Sequence, residues 1–151
     1  MQYVFDITLK NRKILRALME KFSLEELNKV PSGFSNNLIW NIAHVIVTQQ
    51  LLVYNLSGLP MLTDGAMVAK YRKGTKVEED VSQEDVDEIK KLLFSTIERM
   101  KSDYEKGVFK SYSPYTTSTN STITCVEGAI KFNNFHEGIH LGYILALKKS
   151  L

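Results

Sequence analysis

The sequence predicts an all-α protein, a four-helix bundle, and three observations carry that expectation. Four segments of about 20 residues repeat apolar side chains at helical spacing, which gathers them on one face of each helix. Capping residues open the last three of these segments, and Gly or Pro stands beyond the ends of the first two. Almost nothing in the 151 residues reads as strand, and no internal repeat or linker divides the chain. One domain covering residues 1–151 is therefore expected, with the helices burying their apolar stripes against one another.

The first helix runs from about Tyr3 to Phe22, with Phe5, Ile14, Leu15, Leu18, Met19 and Phe22 as its apolar stripe. Ser23 is placed to cap a short further turn through Glu26, before Pro31-Ser32-Gly33 stops the chain. The second helix spans about Asn36 to Leu56; Ser35 or Asn36 caps it, and Ser57-Gly58 with Pro60 beyond ends it. A long connection containing Gly65 and Gly74 follows. Connections of that length are uncommon in compact domains and often functional.

The third helix starts near Ser82. Its acidic residues (Glu84, Asp85, Asp87, Glu88) come first and its basic ones (Lys90, Lys91, Arg99, Lys101) later, an order that complements the helix dipole. Ile89, Leu92, Leu93, Thr96, Ile97 and Met100 form its buried face. A loop rich in Ser and Thr, from about Gly107 to Ile123, leads to the last helix. There Thr124-Cys125-Val126-Glu127 reads as a capping box, and Lys148-Lys149 closes the C-terminal end.

Composition narrows the partners. The net charge is +2, from 19 basic and 17 acidic residues without a basic stripe, which argues against nucleic acid. The longest apolar stretch, around Leu38 to Leu56, is broken by Asn41, His44, Thr48, Gln49 and Gln50, so no membrane span is expected. The start Met-Gln-Tyr-Val-Phe-Asp lacks the basic and apolar regions of a signal peptide. The lone Cys125 suits a reducing compartment, and a cytoplasmic location follows.

Chemistry concentrates in the three histidines. His136 and His140 lie four apart in the last helix and project from one face; His44 sits in the middle of the second. At about 100° per residue, Asn133 falls about 60° and Tyr143 about −20° from His136, while Glu137 falls about 100° away, off that face. Around His44, Thr48 lies at about 40° and Asn41 at about 60°. Such small polar neighbours can hold the second nitrogen of a ligating imidazole. The expectation is one metal site spanning two core helices, with ligands His44, His136 and His140.

His136-Glu137-Gly138-Ile139-His140 also matches the peptidase pattern H-E-x-x-H. The extended form of that pattern needs Gly at 143 and His at 146, where this chain has Tyr143 and Ala146. No acidic residue follows His140. A third ligand must come from upstream, and His44 is the remaining histidine, so a peptidase is not expected.

The string Asn36-Asn37-Leu38-Ile39-Trp40-Asn41-Ile42-Ala43-His44 resembles the N-x-x-x-W-x-x-x-H segment of DinB/YfiT-like proteins. Thr124 to Leu147 is similar to their last helix, with its H-x-x-x-H pair. The resemblance extends over essentially the whole chain. It implies an up-down-down-up four-helix bundle holding a divalent metal, nickel or zinc, on His44, His136 and His140. It also implies thiol-dependent chemistry, such as bacillithiol- or mycothiol-dependent transfer or maleylpyruvate isomerisation, and a homodimer. Relatives often follow the last ligand with Arg-Gly-Gln, whereas this chain has Leu141-Gly142-Tyr143. The polar chemistry beside the metal is expected to differ accordingly.

Three imidazoles leave a divalent cation an open position, which suits catalysis. Water there points to a hydrolase, and a low-molecular-weight thiol cosubstrate points to an S-transferase. Both act on a small-molecule substrate; the alternative is a non-enzymatic, metal-binding or dimeric stress-related bundle. Glu137 is expected as a solvated or interface residue rather than a base. Tyr143 either lines the pocket or packs in the core. Trp40, Phe132 and Phe135 are expected as bundle packing, Cys125 as a buried inert thiol, and Glu78-Glu79-Asp80 as a solvated loop.

Overall fold

The computed structural model describes residues 1–151 and is predominantly helical. Helix α1 spans Gln2–Lys21 and buries Phe5, Thr8, Arg12, Leu15, Leu18 and Met19. Ile14 lies about 180° around the helix from Phe5 and is exposed, so it leaves the expected stripe. Arg12 takes a place in that stripe. The short α2 (Leu24–Asn28) forms on the expected capping box: the Ser23 hydroxyl accepts from the Glu26 N–H, and the Glu26 carboxylate from that of Ser23.

Helix α3 (Leu38–Val53) is the central element, and every residue of it except Thr48 and Leu51 is buried. Its cap is Asn37, one residue later than expected, whose Oδ1 accepts from the Trp40 N–H at 2.8 Å. Asn36 instead ties down a later loop by accepting from the Val77 N–H at 3.0 Å. A 3₁₀ turn, Asn55–Ser57, follows, and Gly58 closes it at φ 69°, a left-handed conformation that glycine adopts without steric penalty.

The expected long connection contains a helix, α4 (Gly65–Tyr71), capped by Asp64. At seven residues it is too short to show a clear apolar period in sequence. Helix α5 (Gln83–Glu105) begins on the reciprocal bonds of Ser82 and Asp85. The Ser/Thr-rich loop carries a two-residue antiparallel ladder, β1 (Tyr115–Thr116) against β2 (Thr122–Ile123). Helix α6 covers Val126–Leu147.

The expected capping box at Thr124 does not form. The cap of α6 is Cys125, whose side chain makes no capping bond. Glu127 therefore falls at the second helical position, one short of where a capping-box carboxylate must be. Cys125 is exposed, not buried. Phe135 is also exposed, at 53 %, while Phe132 is half-buried against the core.

Helices α1 and α3 each pack against both α5 and α6. The apolar core falls into two clusters, one holding Leu15, Val47, Leu93 and Ile144, the other Phe5, Leu52, Ile97 and Ile130. Between them, in sequence along every long helix, lie fully buried polar residues: Arg12, Gln49, Thr96, Asn133 and Glu137. The candidate site borders this polar layer. No helix is long and apolar enough to cross a membrane.

Candidate metal centre

His44 reaches the site from the buried middle of α3, and His136 and His140 from successive turns of α6. One coordinating atom from each of the three lies within 4.8 Å of the others. The i,i+4 spacing brings the two α6 rings to 4.6 Å between centroids with their planes tilted by 54°, and His44 stands 5.2 and 4.6 Å from them. The sequence expectation that these three side chains meet is met by the fold.

Hydrogen bonds fix which nitrogen two of the three rings present. His44 Nδ1 is 2.6 Å from the Tyr71 carbonyl, which only accepts, so Nδ1 carries the proton and Nε2 a lone pair. His140 Nδ1 is 3.0 Å from Asn41 Oδ1. Asn41 Nδ2 donates to the Asn37 carbonyl at 2.8 Å, which orients the amide, so His140 Nδ1 is the donor. Both rings thus turn bare Nε2 atoms inward. His136 Nε2 lies 3.3 Å from His44 Nε2. Two nitrogens ligating one tetrahedral zinc at about 2.0–2.1 Å stand about 3.3–3.4 Å apart. The donor set and its spacing suit a divalent cation.

Trp40 does more than pack: its indole stacks on His44 at 4.8 Å and 9°, covering one ring face. Its Nε1 donates to Thr75 Oγ1 at 3.3 Å. The histidines open onto a cavity of about 560 Å³, within the range of small-molecule sites. Trp40, Leu51, Phe132 and Ile139 give it apolar walls; Thr48, Lys73, Tyr115, Thr117 and Ser118 supply polar groups. No Asp or Glu lines it. Tyr143 sits in a smaller cleft on the other side of His140, its ring edge on Phe34 at 5.4 Å.

Glu137 corrects the sequence expectation of a solvated or interface residue. Its side chain is fully buried, and Arg12 of α1 grips it with two bonds, Nε to Oε2 at 3.0 Å and Nη2 to Oε1 at 2.7 Å. Asn133 Nδ2 adds a third, to Oε1 at 2.8 Å. The roughly 100° offset from His136 is what sends the carboxylate to α1 instead of the cavity. A peptidase of the H-E-x-x-H kind needs that Glu beside the attacking water, and here it is held elsewhere.

The sequence reading missed Arg12, the Tyr71 carbonyl and the cavity rim. Arg12 left a signal: it occupies the stripe position between Thr8 and Leu15 where the period demands an apolar side chain. A backbone carbonyl and loop residues brought in from α4 and the β1–β2 hairpin leave none.

All three imidazoles titrate below the ordinary histidine value, chiefly through burial. His136 is lowered to about 3, with His140, His44 and Arg12 adding repulsion, and His140 to about 4, with His44 adding. His44 is lowered too, though its bond to Tyr71 opposes the shift. The unfolded chain takes up these protons near pH 6.5, whereas the folded one stays neutral until far lower pH. Their contribution to metal-free stability is full above about pH 6.5 and is lost as pH falls toward about 3, the value for His136. Thermal unfolding of the chelated protein should show this decline, and replacing all three histidines with Gln should flatten it. An equal slope in the triple variant would refute the assignment.

The fold and site define a helical protein with a partly buried three-histidine cluster that could hold a metal. The chain belongs to the DinB superfamily, whose family model matches residues 8–144. No curated protein matches the sequence.

Proposed function

We propose that this protein is a divalent-metal-dependent enzyme, with His44, His136 and His140 as ligands, that joins a low-molecular-weight thiol to a small electrophile. The observation that carries the reading is the convergence of the three imidazoles on the 560 Å³ cavity, two with their outer nitrogens tied back. Nickel or zinc suits such nitrogen ligands. A divalent cation there supplies Lewis acidity, which lowers the pKa of a thiol or water joining it. The absence of a carboxylate from the lining favours a thiol, which needs no general base once ionised, over hydrolysis. Trp40, Leu51 and Phe132 give the reacting groups apolar surroundings.

The reading includes a single DinB-like domain, an up-down-down-up bundle in the cytoplasm. Its support is the order of the two core clusters, which runs one way along α1 and α6 and the other way along α3 and α5. Three exposed apolar side chains within about 80° on α6, Phe135, Ile139 and Tyr143, support a homodimer.

The test uses untagged protein loaded with nickel or zinc. About one equivalent should bind per chain, and nickel should quench the fluorescence of Trp40, the sole tryptophan. Loaded protein should speed conjugation of a small thiol to a chloronitroaromatic electrophile, and chelation should remove the gain. Binding below about a tenth of an equivalent would refute the metal reading. Equal rates with and without metal, across thiols, would refute the transferase and leave the non-enzymatic alternative.

A further inference from the structure

We propose that Asn133, held by Glu137 and Arg12, is the positioning residue for His136, acting through one buried water that bonds Asn133 Oδ1, Arg12 Nη1 and His136 Nδ1. The inference rests on the metal reading above, but concerns residues that line no part of the cavity.

Two of the three imidazoles have their outer nitrogens satisfied: His44 by the Tyr71 carbonyl and His140 by Asn41. His136 differs, because its Nδ1 is buried and has no partner. If Nε2 of that ring takes a cation, Nδ1 must carry the proton, and a buried N–H without an acceptor is costly. Asn133 and Arg12 each have a buried polar atom in the same condition, Oδ1 and Nη1.

The three orphans are complementary, with two donors and one acceptor. Asn133 lies one turn before His136 and four residues before Glu137, at an angle between the two, so it neighbours both. Its amide is not free to flip. Nδ2 donates to Glu137 Oε1, which leaves Oδ1 as the unpaired atom. Glu137 is in turn fixed by the two-bonded grip of Arg12. None of the orphans bonds another directly. One water accepting from the two N–H groups and donating to Oδ1 satisfies all three, with the three bonds typical of buried waters.

This gives the buried ion pair a role. Arg12 and Glu137 lock Asn133, and Asn133 with the water orients the one ligand that neither backbone nor Asn41 reaches. Replacing such outer partners of a ligand typically weakens metal affinity about 10- to 100-fold.

The experiment uses the zinc-loaded full chain, ¹⁵N-labelled on histidine. Three ring N–H signals protected from solvent exchange are expected, all from Nδ1 and one of them from His136. Asn133→Leu, which removes the acceptor and fills the space, should lose protection at His136 alone and bind zinc about 10- to 100-fold more weakly. A merely structural Asn133 would leave that signal and the affinity unchanged, and this outcome overturns the proposal. If Asn133→Leu fails to fold, the wild-type spectrum decides: an unprotected His136 Nδ1–H, or ligation through Nδ1, overturns it as well. Failure of the wild type to bind zinc would instead refute the metal reading.

Discussion

An Arg12→Met variant is expected to lose about 3–5 kcal/mol of stability, the usual result of stripping one partner from a fully buried ion pair. For a chain of this size, that corresponds to a fall of about 6–20 °C in Tm. Methionine fills most of the volume, so the loss reports the uncompensated Glu137 carboxylate, which keeps only its bond from Asn133. Arg12→Met with Glu137→Leu should recover much of the loss, because replacing both charges with apolar groups of similar volume is often neutral. Calorimetry on the chelated proteins checks both values. A single variant within about 1 kcal/mol of wild type would mean that water reaches the pair.

His44→Ala carries the second large effect. Four-ligand structural zinc sites bind with about 10–16 kcal/mol, or about 2.5–4 kcal/mol per ligand, so affinity should fall about 10²- to 10³-fold. Isothermal titration with zinc measures it. Metal at 100 times its Kd should stabilise the wild type by about 2.7 kcal/mol, and this rise should vanish in the variant. Titration at equal metal-free stability separates lost ligation from lost packing, since Trp40 also loses its stacking partner. Unchanged affinity would remove His44 from the ligand set.

What was legible in the sequence is what repeats or sits at fixed spacing. The long helices follow from the 3.6-residue period of their apolar faces, and Ser23 and Ser82 announce their caps through a carboxylate three residues on. His136 and His140 are legible as a pair because one helix carries both. That His44 joins them depended on helix packing, and elimination of other ligands supplied the inference. Local rules failed where a one-residue shift decides: Asn37 caps α3 in place of Asn36, and α6 starts too late for Thr124 and Glu127 to form their box.

The rest was hidden for physical reasons. Glu137 reads as solvated because a charge is normally solvated, and only its meeting with Arg12, 125 residues away, reverses that. The angular offset was right, but its consequence needed the position of α1. Tyr71 acts through its carbonyl, which no side-chain pattern encodes.

The three histidines of the candidate site stand on α3 and α6, whereas Lys73, Tyr115, Thr117 and Ser118 reach the cavity from segments outside those helices. Under the proposed function, anchoring and selectivity therefore sit on separate segments. Substitutions or insertions in the rim can change which molecule enters without moving an imidazole, because surface connections tolerate such change and the helix interior does not. One frame can thus serve many chemistries, and two chains sharing all three histidines need not share a substrate. Assignments transferred between relatives should compare residues 73–74 and 115–118 before they compare the histidines.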